Sequence, residues 1–183
     1  LERYHFREKV DFTADDDLSV IGVLGPGAAR LVREATGIDA VELQDNTGRT
    51  SGSVSAWRTD LGTVAMYLVV VPRAELVATW GRLVADEKSA VAIGWAALNA
   101  VRIEACRGVF GIDYDNTFLP AETGQLERAV SFTKGCYPGQ EIVARMHARN
   151  QYARKLVQLK MNDDMLPVAG AKVYDQQGNE VGG

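Results

Sequence analysis

Cys136 stands in the run Lys134-Gly135-Cys136-Tyr137-Pro138-Gly139-Gln140-Glu141, with Arg145 four residues further on. Gly135 and Gly139 bracket the cysteine and leave it little covered by neighbouring side chains. Pro138 fixes one turn position. From Gln140 the pattern becomes helical, with Ile142, Val143 and Met146 as the apolar face and the helix expected to run toward Lys155. Cys136 then lies just before a helix N-terminus, where free amide N–H groups favour negative charge. Lys134 adds a positive neighbour. Both effects lower a thiol's pKa and raise its thiolate fraction. The chemistry open to such a group is that of a nucleophile, a redox-sensitive thiol or a soft metal ligand; the alternative is a small buried hydrophobe. No His or Asp pair lies beside it in sequence to complete a protease-like arrangement, and His147 is a weak candidate for one. Arg145, Arg149, Arg154 and Lys155 form either a solvated helix face or a patch that grips carboxylate or phosphate.

The elements that must position this thiol are legible along the chain. Leu18 to Leu24 reads as a strand and Ala28 to Ala35 as a helix with Leu31 and Val32 inward, ended by Gly37. The turn between them, GVLGPGAAR, has Arg30 where a dinucleotide fingerprint wants Gly or Ala, so it reads as a strand-to-helix turn. Residues 3 to 12 alternate like a half-buried strand. Residues 13 to 17, TADDD, form a solvated acidic turn. Residues 45 to 53 are polar and rich in Gly, Ser and Thr, an internal boundary or a hairpin loop. Strands are expected at Val54 to Trp57 and Val64 to Val71, helices at Ala74 to Ala85 and Ala92 to Cys106, and irregular chain from Gly108 to Gly124. Leu156 to Met161 reads as a strand, and residues 173 to 181 as a hairpin that begins a further β domain. Strands with segregated helices predict an α+β fold. The expected division is 1–44, 45–125, 126–153 and 154–183.

The totals agree with an ordinary globular protein. The chain has 183 residues, 46% hydrophobic and 24% charged, with a net charge of −4. A chain this long buries roughly 70% of its unfolded surface, so a core needs no disulfide or metal staple. The acidic balance argues against broad nucleic-acid binding, which usually shows as a basic domain, but leaves a local basic patch open because net charge says nothing about distribution. Cys106 and Cys136, with His5 and His147, fit no zinc pattern. A reducing, cytoplasmic compartment and no membrane association are the expectation. Cys106 ends an apolar segment and is expected in the core. Asp113-Tyr114-Asp115-Asn116 lacks the glycine and closing glutamate of a calcium loop.

The cysteine run and Arg145 resemble the K-G-C-[FY]-x-G-Q-E…R signature of the YgfZ-type folate-binding proteins, relatives of the glycine-cleavage T-protein. Val101-Arg102-Ile103-Glu104-Ala105, Phe110-Gly111-Ile112-Asp113, Leu119-Pro120-Ala121-Glu122 and Gly25-Pro26-Gly27-Ala28 resemble further motifs of that superfamily. Cys106 departs from it, where the family usually has glycine. The resemblance implies a T-protein-like folate-binding fold with the start of a C-terminal β-barrel, in a chain incomplete at both ends. It implies tetrahydrofolate as cofactor and iron-sulfur enzymes, tRNA-modifying ones included, or their assembly factors as partners; direct nucleic-acid contact is not expected, in keeping with the net charge. Carried over, Glu104 contacts the pterin and Cys136 is the working thiol. Tyr137 either stacks on a flat ring or packs, and Arg145 partners Glu141 or the folate tail. A folate-dependent aminomethyltransferase is the alternative activity.

Overall fold

The computed structural model describes residues 9–62, 64–86, 88–149, 152–162 and 167–183. Strand β1 (Leu18–Leu24) leads through the Gly25-Pro26 turn into helix α1 (Ala28–Thr36). Strands β2 (Gly48–Ser51), β3 (Val54–Asp60) and β4 (Ala65–Pro72) follow. All pairings in the sheet are antiparallel, in the order β1-β4-β3-β2. The register pairs Ile21 with Val69 and Val69 with Ala56, so side chains of period two meet on one face. That face is the core. Ile21, Ala56, Tyr67, Val69 and Val71 are buried against Ala28, Val32 and Ala35 of α1 and Leu83 of α2 (Leu76–Leu83). One sheet and one core therefore run across residues 44 and 45, and the polar stretch 45 to 53 forms a hairpin, with β2 pairing on β3.

Helix α1 ends as its sequence predicts. Gly37 takes φ 75° and its N–H donates to the Arg33 carbonyl at 2.8 Å. Glycine enters this left-handed region without the Cβ penalty. Helix α3 (Trp95–Glu104) ends in the same conformation but on a different residue. The Cys106 N–H donates to Ile103 and the Arg107 N–H to Arg102, the paired bonds of a Schellman motif. Cys106 has φ 50° and is exposed, not in the core as its apolar context predicts. The Schellman geometry turns the chain away from the helix face at that position, so the thiol leaves the packed side.

Residues 105 to 139 are irregular apart from a 3-10 turn (Pro120–Thr123) and the short α4 (Leu126–Ala129). Helix α5 spans Gln140–Arg149. Of its expected apolar face, Val143 is buried and Met146 packs beside it, but Ile142 is half exposed. Ala121, Leu126 and Val143 form a second small core, against which Val130 and Tyr152 pack. The strand expected at Leu156 to Met161 is not formed. A strand needs a partner edge, and the backbone here bonds instead to a turn: the Leu156 N–H donates to the Glu122 carbonyl at 2.9 Å. Strands β5 (Val173–Tyr174) and β6 (Glu180–Gly182) make a two-stranded antiparallel hairpin. The fold is α+β, with no closed barrel among the described residues. The strand expected over residues 3 to 12 falls mostly outside the described residues; 9 to 12 belong to no strand.

The position of Cys106 yields a stability prediction. A side chain in the left-handed region costs on the order of 1 kcal/mol relative to glycine, and an exposed cysteine loses little packing on truncation. Cys106→Gly is expected to stabilise the fold by up to about 0.5 kcal/mol, read as a higher urea midpoint, since the freer unfolded chain offsets part of that gain. An unchanged or lower midpoint contradicts it.

Candidate functional site

Two arrangements carry the residues that the sequence singles out. The first is built on α3. Its last turn holds Arg102, only 5% exposed, whose guanidinium donates to Asp113 at 2.6 Å, to the Asn99 side chain at 2.6 Å and to the Arg107 carbonyl. Asp113 also accepts the Val109 N–H at 2.7 Å. A buried guanidinium is tolerated only when paired in this way. The pair ties the loop after α3 to one side of the helix. On a 3.6-residue repeat, Ala97, Val101 and Glu104 share another side. Ala97, Leu98 and Val101 line an open apolar groove of about 710 Å³. Val20, Leu24, Met66 and Leu68 of the sheet face not covered by α1, with Trp80 of α2, line it too. Residues 89–94 and Trp95 close one wall. Glu104 lies one turn beyond Val101, exposed, with no hydrogen bond or ion pair among the described residues.

The second arrangement is the cysteine run. Cys136 is exposed. Residues 134 to 137 are extended or bent, and the Tyr137 carbonyl accepts the Gln140 N–H at 3.2 Å across Pro138-Gly139, with Gly139 at φ 83°. That turn delivers the chain into α5. The Lys134 ammonium stands 4.8 Å from the centre of the half-buried Tyr137 ring, a cation–π contact. Glu141 and Arg145 form an exposed i,i+4 ion pair. Arg145 thus meets Glu141, one of its two expected partners. Neither Tyr137 nor Arg145 lines the apolar groove. Gly135, Gly139 and Gln140 serve the turn and the helix start.

A buried clasp joins these regions, and the sequence reading missed it. Glu122 is 4% exposed. Its carboxylate accepts the Leu119 N–H at 2.9 Å and faces the Arg154 guanidinium at 3.3 Å. Arg154 also lies 4.1 Å over the Phe118 ring and donates to the Thr117 carbonyl. The Leu119 N–H holds the Glu122 carboxyl below the ordinary glutamate value; burial opposes this and Arg154 assists. Gly108 belongs to the same clasp, for a Cβ there would stand 2.7 Å from the Leu156 side chain and 2.9 Å from Tyr114. The signal that could have found it was Pro120 at a helical first position with an acid two residues on. The groove had a signal too, the apolar run Val91 to Trp95 in an otherwise polar connection. Asp115, in the segment tested for calcium, accepts from the Thr117 hydroxyl and N–H, which hold its carboxyl below the usual range. No group of three or more His, Cys, Asp or Glu among the described residues could hold a metal ion. No helix among them is long and apolar enough to cross a membrane.

No family model matches the chain. Curated relatives do, over nearly all of it. The protein of Escherichia coli named tRNA-modifying protein YgfZ is 30% identical over 172 residues, 93% of this chain and 51% of the relative. Those of Cronobacter sakazakii and Edwardsiella ictaluri, with the same name, are 28% and 32% identical over 181 and 177 residues. The chain spans about half the length of the curated relatives it matches. The resemblance drawn from the cysteine run is borne out at the level of these relatives.

The clasp carries a pH prediction. Glu122 has its carboxyl pKa depressed on folding, so its contribution is fully present above the ordinary glutamate value of about 4.3 and is lost as pH falls below it. Glu122→Gln is expected to flatten the stability-versus-pH curve on that acid limb, measured by urea titration between pH 5 and about 2.5. An acid limb identical to the wild type contradicts this role.

Proposed function

We propose that this chain, a relative of the proteins named tRNA-modifying protein YgfZ, is a tetrahydrofolate-binding accessory protein for iron-sulfur enzymes that modify tRNA, with Cys136 as its working thiol. The observation that carries the reading is the exposed Cys136 on a Gly-bracketed turn leading into α5, a position that packing alone does not require. The relatives' printed name supports the connection to tRNA modification.

The α3 groove supports the cofactor. Its volume lies within the range of small-molecule sites, its walls are apolar, and Trp80 and Trp95 offer flat faces. Glu104 presents a carboxylate without a partner among the described residues, one turn beyond the lining. A carboxylate takes paired hydrogen bonds from the amino and ring N–H groups of a pterin. When bound, tetrahydrofolate carries a one-carbon unit on its reduced ring. In this reading Glu104 orients the pterin, the sheet face and α3 exclude water from it, and Arg102 holds Glu104 in place by fixing the last turn. Tyr137 and Arg145 act with the cysteine run, where they are found, and Arg145 remains close enough in sequence to Cys136 to steer an anionic partner toward it.

Two substitutions separate the roles. In the full-length protein, Glu104→Gln keeps shape but removes the charge, and it is expected to weaken tetrahydrofolate binding about tenfold or more by calorimetry. Cys136→Ala is expected to leave that affinity unchanged yet fail to restore iron-sulfur-dependent tRNA thiolation in cells lacking the native protein. Full rescue by Cys136→Ala returns the cysteine to packing and overturns the thiol role. Unaltered folate affinity in Glu104→Gln moves the pterin elsewhere.

A further inference from the structure

The charge of the chain is unevenly distributed. Residues 126 to 160 hold 7 of its 20 Lys and Arg but only 2 of its 24 Asp and Glu. An acidic protein thus carries one strongly basic segment. The fold gathers residues 126 to 156 of that segment on a single small unit, and Lys160 follows four residues on. Leu126 of α4 and Val143 of α5 share the second core with Ala121, and Tyr152 packs on it, which brings the chain after α5 back against the helix. Arg154 is fastened there through Glu122 and Phe118. All seven cationic side chains are exposed. Elsewhere about half of the described cations meet acids, as in Arg30 with Glu34, Arg49 with Glu42 and Lys172 with Glu180. Here Arg149, Lys155 and Lys160 have no ion-pair partner among the described residues.

Aromatic rings are interleaved with these charges. Phe132 lies over His147 of α5, ring centres 4.1 Å apart and tilted by 36°, and keeps 42% of its surface exposed. Tyr137 carries the Lys134 ammonium on its face. Free cations beside an exposed aromatic platform are the combination that binds single-stranded nucleic acid: the cations meet successive phosphates and the rings accept unpaired bases by stacking. An acidic peptide or a lipid headgroup would use the cations and leave an exposed stacked ring without a role. We propose that the α4–α5 unit is a binding surface for single-stranded RNA, with Arg149, Lys155 and Lys160 on phosphates and Phe132 stacked on a base. This goes beyond the accessory role above and departs from the expectation of no direct nucleic-acid contact. Net charge averages over the very asymmetry that makes the surface.

The test uses the full-length protein and a fluorescein-labelled 20-nucleotide single-stranded RNA of mixed sequence, read by anisotropy against salt. It needs neither folate nor a client enzyme, so its failure is distinct from failure of the Cys136 reading. The triple variant R149E/K155E/K160E is expected to weaken binding ~10-fold or more and to flatten the logarithmic salt slope by about two units, since each single-strand phosphate contributes roughly 0.7. Phe132→Ala is expected to weaken RNA binding about fivefold or more while leaving binding to heparin unchanged, because stacking needs bases. If the triple reversal melts early, R149Q/K155Q/K160Q gives the same reading with a smaller change of field. No RNA binding at 100 mM salt overturns the proposal. So does RNA affinity indifferent to these variants, or heparin or phosphatidylserine vesicles bound as tightly as RNA with Phe132→Ala silent.

Discussion

The Arg102–Asp113 pair is the constraint on which the α3 region depends. A guanidinium with 5% exposure is unfavourable unless every face of it finds an acceptor. Asp113, Asn99 and the Arg107 carbonyl supply them. Each acceptor fixes something else. Asp113 draws in the loop after α3 and takes the Val109 N–H as well. The Arg107 contact reinforces the Schellman turn, in which the Arg107 N–H returns to the Arg102 carbonyl. Val101, next to Arg102, lines the groove, and Glu104 follows it by one turn. Replacing Asp113 would leave a buried charge uncompensated, which is why such pairs matter more when broken than when made.

The sheet supplies the other half of the groove. The register that buries Ile21 and Val69 on α1 turns Val20, Leu24, Met66 and Leu68 to the opposite face. One face builds the core and the other an apolar floor, and a single-residue slip would exchange them. Glu122 and Arg154 then hold the chain after α5 to the turn at Pro120, so the cysteine run and the α3 loop are joined by a buried acid and its guanidinium. The thiol itself stands outside both cores.

Local patterns were readable in the sequence and long-range ones were not. Leu18 to Leu24 and Val64 to Val71 announce strands as short apolar runs, and Val32 with Gly37 announces a capped helix, because each signal lies within a few residues. Leu156 to Met161 carries the composition of a strand but pairs with no edge, and pairing is a property of a distant partner that composition does not encode. Cys106 reads as core from its apolar neighbours; the helix end that expels it is set by Arg102 and Arg107. The motif residues Glu104, Cys136 and Arg145 were visible as types. Their division into a carboxylate beside the groove and a thiol on a separate turn was not.

That division is the central claim, and the chain contains its own reporters. Cys106 follows Glu104 by two residues, while Cys136 lies on the other arrangement, and both thiols are exposed. The decisive measurement is the iodoacetamide alkylation rate of each cysteine in the full-length protein, resolved by peptide mass spectrometry, with and without saturating tetrahydrofolate. The account predicts that folate slows Cys106 and leaves Cys136 at its original rate. Protection of Cys136 with Cys106 unchanged would place folate on the cysteine run and contradict it.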